Sequence, residues 1–145
     1  MEICTIGFSK KTARTFFESL KLYGIRRLID VRLNNVSQLA GFTKKEDLEY
    51  FLREICDCAY LHLPVLAPTR ELLAGYRQKT LSWETYEKSF RDLLCAGAVE
   101  HKLDRSLFEV PVALLCSEAE ATFCHRRLVA EYLQERWPDV TVRHL

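Results

Sequence analysis

No apolar run in this chain approaches the roughly 20 residues of a membrane span. No repeat, low-complexity stretch or linker interrupts it. There is no P-loop and no complete G-x-G-x-x-G fingerprint, which argues against an ordinary P-loop ATPase or a Rossmann dehydrogenase. C-x-x-C is absent too: Cys56 and Cys58 form C-x-C, so thioredoxin-type redox chemistry is not supported. Nor is charge of one sign in excess. The formal net charge is +1, which by itself points to neither a nucleic-acid nor a membrane partner. The first strand-like run begins almost at Met1 and leaves no room for a signal peptide before it, so a cytoplasmic protein is expected.

What is present is enough for one compact domain over residues 1–145, with 48% hydrophobic residues to build a core. Six cysteines occur, at 4, 56, 58, 95, 116 and 124. Several fall inside apparent core elements, so reduced thiols are expected, mostly as small buried hydrophobes.

Strand-like and helix-like segments alternate. Ile3–Ile6 is a short β-branched run ending at Gly7, and residues 12–23 repeat apolar groups at helical spacing behind a Thr12 cap. Ile25–Arg32 is a second strand. Thr43 with Glu46 has the spacing of a capping box ahead of a helix carrying Leu48, Phe51, Leu52 and Ile55. Ala59–Leu63 reads as a third strand, and 65–81 as a long connection with Pro68 and Gly75. Ser82 caps a helix whose Trp83, Tyr86, Phe90, Leu93 and Leu94 read as core. Val110–Cys116 is the most apolar strand, suited to the sheet centre. A last helix, from about Cys124 to Trp137, and a strand over Val140–Leu145 complete the order. This β-α-β-α-β-α-β-α-β alternation predicts an α/β fold of three layers. Its sheet should be mostly parallel, of about five strands, with helices on both faces.

Right-handed crossovers place every strand-to-helix loop on one edge of such a sheet, and ligands bind there. Gly7-Phe8-Ser9, Asp30-Val31-Arg32, His62-Leu63-Pro64, Cys116-Ser117-Glu118 and Cys124-His125-Arg126-Arg127 should share that edge. The segments 7–14, 32–45, 64–80 and 116–127 together carry +8 and the remainder −7. Helix N-termini add free N–H groups to the same side. An anionic small molecule or a nucleic acid is the expected partner, or else the loops carry solvated lysine and arginine.

Each candidate has two readings. Gly7 and Ser9 resemble a minimal phosphate turn, or Gly7 lets the chain leave the strand. Asp30 and Arg32 share a strand face and form either an anion-binding fork or a structural pair. Cys116, Glu118, Cys124 and His125 supply a thiol or carboxylate catalyst beside Arg126, or buried cysteines with Glu118 pairing Arg126 or Arg127. No cofactor is predicted. A divalent metal is unsupported, because C-x7-C-H is not a recognised zinc pattern and lacks a clear fourth ligand.

Thr5-Ile6-Gly7-Phe8-Ser9, Ile29-Asp30-Val31-Arg32, Leu61-His62-Leu63-Pro64 and Leu114-Leu115-Cys116-Ser117-Glu118…Cys124-His125-Arg126-Arg127-Leu128 resemble the DUF488 family over nearly the whole chain. Arg32-Leu33-Asn34-Asn35 and Gln38-Leu39-Ala40-Gly41-Phe42 resemble one branch of it. Phe8 stands where that pattern usually has histidine, so a histidine role would pass to His62 or His125. The resemblance implies an α/β fold and supplies no substrate. The leading expectation is a small cytoplasmic enzyme acting on a phosphorylated or other anionic substrate, such as a nucleotide or nucleic acid. Its catalytic candidates are Cys116, Glu118, Cys124 and His125, and its binding candidates Gly7, Ser9, Asp30, Arg32, His62 and Arg126. The alternatives are a nucleotide or nucleic-acid binding module without catalysis, and a protein-interaction domain.

Overall fold

The structure, a computed structural model, describes residues 1–36 and 40–145; Gln38 and Leu39 of the branch motif lie outside the described residues. Its strands are β1 (Glu2–Gly7), β2 (Arg27–Asp30), β3 (Ala59–His62), β4 (Val112–Cys116) and β5 (Thr141–His144). They form one sheet in the order β3-β2-β4-β1-β5, and every pairing is parallel. The expected central position of the most apolar strand is observed. All five residues of β4 are buried, because neighbouring strands and helices cover it on every side.

The helices are α1 (Ala13–Leu22), α2 (Lys45–Cys56), α3 (Arg70–Arg77), α4 (Trp83–Ala96), α5 (Val99–Lys102) and α6 (His125–Arg136). Alternation of side chains along each strand divides the core in two. On one face Cys4, Ile6, Leu28, Ala113 and Leu115 pack with Phe16, Phe17 and Leu20 of α1 and Leu48 and Leu52 of α2. On the other, Ile3, Ile29, Val112 and Leu114 pack with Tyr86, Phe90 and Leu94 of α4 and Leu128, Val129 and Leu133 of α6. Connections that step one way along the sheet use the first face and those that step back use the second, as crossovers of a single hand require. Among the described residues no helix is long and apolar enough to cross a membrane.

Two local expectations change. The helix after residue 43 starts at Lys45 with no side-chain cap, and the Thr43 hydroxyl instead donates to Ala40 O at 2.9 Å. Thr43 lies in a 3-10 turn over Gly41–Thr43, and its carbonyl is engaged by Arg32, so its side chain does not reach the helix start. The connection 65–81 contains α3, capped by Thr69. Gly75 does not break it. Its Cα lies against the Leu81 side chain, where a Cβ would be only 2.7 Å from Leu81 Cδ1.

Parallel register brings the strand ends level: Gly7 sits opposite Cys116, and Asp30 opposite both Leu115 and His62. Gly7 is required there for close approach. A methyl group on it would collide with the Glu118 carbonyl and reach 3.0 Å from Arg126 Nη1. Gly7→Ala is therefore expected to destabilise the fold by at least about 2 kcal/mol, the upper part of the overpacking range. Gly41→Ala, which meets nothing within 4 Å, should stay within about 0.5 kcal/mol. Urea unfolding of the two variants measures the contrast.

Candidate active site

The crevice at the carboxyl ends of β1, β2 and β4 holds a cavity of about 390 Å³. Cys116, Cys124 and His125 lie on its inner side, with Arg32, Asn34 and Glu118 around it. Its apolar wall is aromatic: Tyr76 from α3, Trp83 and Tyr86 from α4, and Phe123 from the loop before α6. Arg77 and Lys79 also border it. Both are exposed, and neither pairs with a carboxylate among the described residues.

Cys116 ends β4 and Cys124 is the N-cap of α6, which carries His125 and Arg126 in its first turn. The donor atoms of Cys116, Cys124 and His125 all lie within 4.8 Å of one another. His125 donates Nε2–H to Val31 O at 2.7 Å, which leaves Nδ1 as the acceptor, 3.5 Å from Cys116 Sγ. The imidazole packs edge-on against Phe90. Burial holds His125 below its ordinary value and so keeps it neutral.

Burial opposes ionisation of Cys116. It is outweighed by the Cys124 thiol, the Ser117 N–H, the Arg126 charge and the Glu118 N–H, which together hold Cys116 below the ordinary thiol value. Cys124 moves the opposite way: its bond to Cys116, burial and the negative charge on Cys116 push it well up. Of the pair, Cys116 is therefore the more acidic sulfur and Cys124 the less acidic. Elsewhere burial pushes the Cys4 and Cys58 thiols up to about 11 and about 12, consistent with inert packing groups.

Arg126 is 1% exposed. It donates to Glu118 O at 2.6 Å and Ala119 O at 3.2 Å, and its Nε has no partner among the described residues. It has no carboxylate within ion-pair distance among those residues. The expectation that the Glu118 carboxylate pairs with Arg126 or Arg127 is corrected: Arg126 takes the Glu118 backbone, and Arg127 pairs with Glu131 and Glu87. The Glu118 side chain stands exposed beside the cavity.

Arg32 is paired. Its Nε and Nη2 fork onto Asp30 at 2.9 and 2.7 Å, Nη2 also donates to Thr43 O at 2.8 Å, and the guanidinium lies 5.3 Å from the Phe8 ring centre. Tyr60 OH donates to Asp30 at 2.6 Å and accepts from Asn35 at 3.0 Å. His62 donates Nε2–H to Arg32 O at 2.8 Å, and the Ser9 N–H donates to Ser117 O at 3.0 Å. Thus Cys116, Glu118, Cys124, His125 and Arg32 border the cavity. Gly7, Ser9, Asp30, His62 and Arg126 stand behind it and hold the bordering residues in place.

Sequence reasoning missed the aromatic wall and Tyr60. Trp83 and Tyr86 read as core because they share the buried stripe of α4. The available signal was their place in the first turn of a helix that follows a strand, since that turn lies at the ligand edge. Three donors would admit a metal ion, but among the described residues no fourth His, Cys, Asp or Glu joins them within the same reach. A structural four-ligand zinc site is not completed by those residues.

Fold and site together define a doubly wound α/β protein with a cysteine pair and an imidazole inside a basic-edged aromatic cavity. The chain belongs to a family described as "Domain of unknown function DUF488", whose model matches residues 12–133. No curated protein and no solved structure matches it.

Asp30→Asn leaves the buried Arg32 charge without its counter-ion. It should destabilise the fold by about 3–5 kcal/mol, whereas Tyr60→Phe removes the two hydrogen bonds of its hydroxyl and should cost about 2 kcal/mol. Guanidinium unfolding distinguishes the two.

Proposed function

We propose that this protein is an enzyme that acts on an anionic, nucleotide-type substrate through the Cys116 sulfur. One observation carries the reading: the Cys116 sulfur, 3.5 Å from a neutral imidazole, lies on the inner side of a cavity with aromatic walls, at whose edge Arg77 and Lys79 pair with no carboxylate among the described residues. A thiolate is an effective nucleophile at neutral pH, and His125 Nδ1 is placed to accept or return a proton. The aromatic side chains suit the flat apolar face of a base, and Arg77 and Lys79 suit phosphate oxygens. Arg32 commits Nε and Nη2 to Asp30, and Nη1 takes no part in that pair.

The chemistry is a hydrolysis or group transfer in two steps. The Cys116 sulfur attacks an electrophilic centre of the substrate and the leaving group departs with a proton. Water or a second acceptor then releases the group from sulfur. Glu118, exposed at the cavity, is the acid-base group for the leaving group or incoming water. Gly7, Ser9, Asp30, His62 and Arg126 position the site. The basic edge also suits a nucleic-acid backbone bound without catalysis, and cysteine substitution separates the two readings.

Adenosine 5′-monophosphate is the test probe, followed by calorimetry and by protection of Cys116 from iodoacetamide. It should bind and protect Cys116. The double variant Arg77→Gln/Lys79→Gln should bind about tenfold more weakly, about 1.4 kcal/mol, and added salt should weaken the parent more than the variant. Cys116→Ser should retain binding and lose turnover. A probe that binds without protecting Cys116, or equal binding by the double variant, would place the ligand elsewhere.

A further inference from the structure

The site described so far uses Cys116 and leaves Cys124 as the less acidic sulfur beside it. Both sulfurs border the cavity and lie within 4.8 Å of each other. The other thiols are placed differently. Cys56 donates to Phe17 O and Cys58 to Ala59 O, Cys4 leans on Glu2, and Cys95 lies exposed on α4. Cys124 is an N-cap residue with extended backbone (φ −137°, ψ 138°), so it stands outside the helical ladder. The intervening residues 117–123 form turns and bends and belong to no helix or strand, and Phe123 is 56% exposed. No helical or strand ladder has to break for the two sulfurs to bond, although the Arg126 contacts to the Glu118 and Ala119 carbonyls must accommodate the closure.

We infer that Cys116 and Cys124 are a reactive thiol pair that reduces a small hydroperoxide entering the cavity and closes into a reversible disulfide. This rests on Cys116 being the reactive sulfur of the proposed enzyme. In the first step the Cys116 thiolate attacks the terminal peroxide oxygen. The S–O bond forms, the O–O bond breaks, and the departing alkoxide or hydroxide takes a proton from solvent to leave as alcohol or water. Cys116 is then a sulfenic acid. In the second step the Cys124 sulfur attacks the Cys116 sulfur. The S–S bond forms, the S–O bond breaks, and the hydroxide leaves as water with the Cys124 proton, for which His125 Nδ1 is the nearest relay. The two thiols lose two electrons and the peroxide gains two.

The environment also sets how easily the bond reopens. Closing it removes the sulfur whose ionisation Arg126 favours, and Arg126 has no carboxylate within ion-pair distance among the described residues. The reduced state is thereby favoured, the property that makes a disulfide a strong oxidant. Glutathione should reopen this one. While closed, it withholds the nucleophile from substrate.

The test treats the chelator-washed full chain with one equivalent of hydrogen peroxide and maps the peptides by mass spectrometry. The expected product is a Cys116–Cys124 crosslink, with loss of two hydrogen atoms, that millimolar glutathione reverses. In Cys124→Ser, dimedone should capture a sulfenic acid at Cys116. A crosslink between other cysteines, or no crosslink, overturns the inference. Iodoacetamide labelling of Cys116 in the reduced chain separates the two proposals. Ready labelling without crosslinking defeats only the thiol pair, and failure of both defeats the reactive-sulfur reading as well.

Discussion

A guanidinium sealed from water, with no carboxylate at ion-pair distance among the described residues, is the constraint on which the rest of this site depends. Burying an ion costs several kcal/mol unless its surroundings restore what water gave. Arg126 recovers part of this from the carbonyls of Glu118 and Ala119. Those carbonyls reach it because residue 7 has no side chain to stand between them. The loop 117–123 is thus folded around a cation, and that cation, after the Cys124 thiol and the Ser117 N–H, helps to lower the pKa of the neighbouring sulfur.

The second buried arginine shows the contrasting solution. Arg32 is forked onto Asp30, and Asp30 is held in turn by Tyr60, whose hydroxyl accepts from Asn35. This pair is closed, and its consequence is rigidity: it fixes the end of β2, whose Val31 carbonyl orients His125. One ion pair thereby selects the imidazole tautomer that presents Nδ1 to the thiol, while the Cys124 thiol, the Ser117 N–H and Arg126 favour ionisation of that sulfur. Both arginines end up buried at one edge of the sheet because parallel strands deliver their carboxyl ends together.

Much of this was legible in the residues. Alternating apolar periods gave the five strands and the central place of residues 110–116, and the sheet-edge rule brought Cys116, Cys124 and His125 to one crevice. Pairing was legible only for Asp30 and Arg32, which share a strand face. The +8 balance of the edge loops counts Arg32 and Arg127 equally with Arg77 and Lys79, yet the first two are consumed by Asp30, Glu87 and Glu131. Helix α3 was hidden because Pro68 and Gly75 are ordinary breakers, and only tertiary contact with Leu81 makes that glycine fit. The capping-box spacing at Thr43 failed for a related reason, since a distant arginine had already claimed that residue's carbonyl. Trp83 and Tyr76 were hidden because a cavity wall and a core face give the same helical period.

The ionisation of Cys116 is the central claim, and a pH titration of thiolate absorbance tests it most directly, read as the parent chain minus Cys116→Ser. The groups around the sulfur are Cys124, His125, Arg126, Arg32 and Tyr86. The account predicts that the difference signal emerges below the ordinary thiol range. It should disappear only on acidification, together with the stability that the Cys116–Arg126 attraction contributes. That contribution is complete above the ordinary thiol value of about 8.5 and lost as pH falls through the depressed folded value. A difference signal that emerges only above about 8.5 would contradict it, and would show that burial outweighs the groups that favour ionisation of this sulfur.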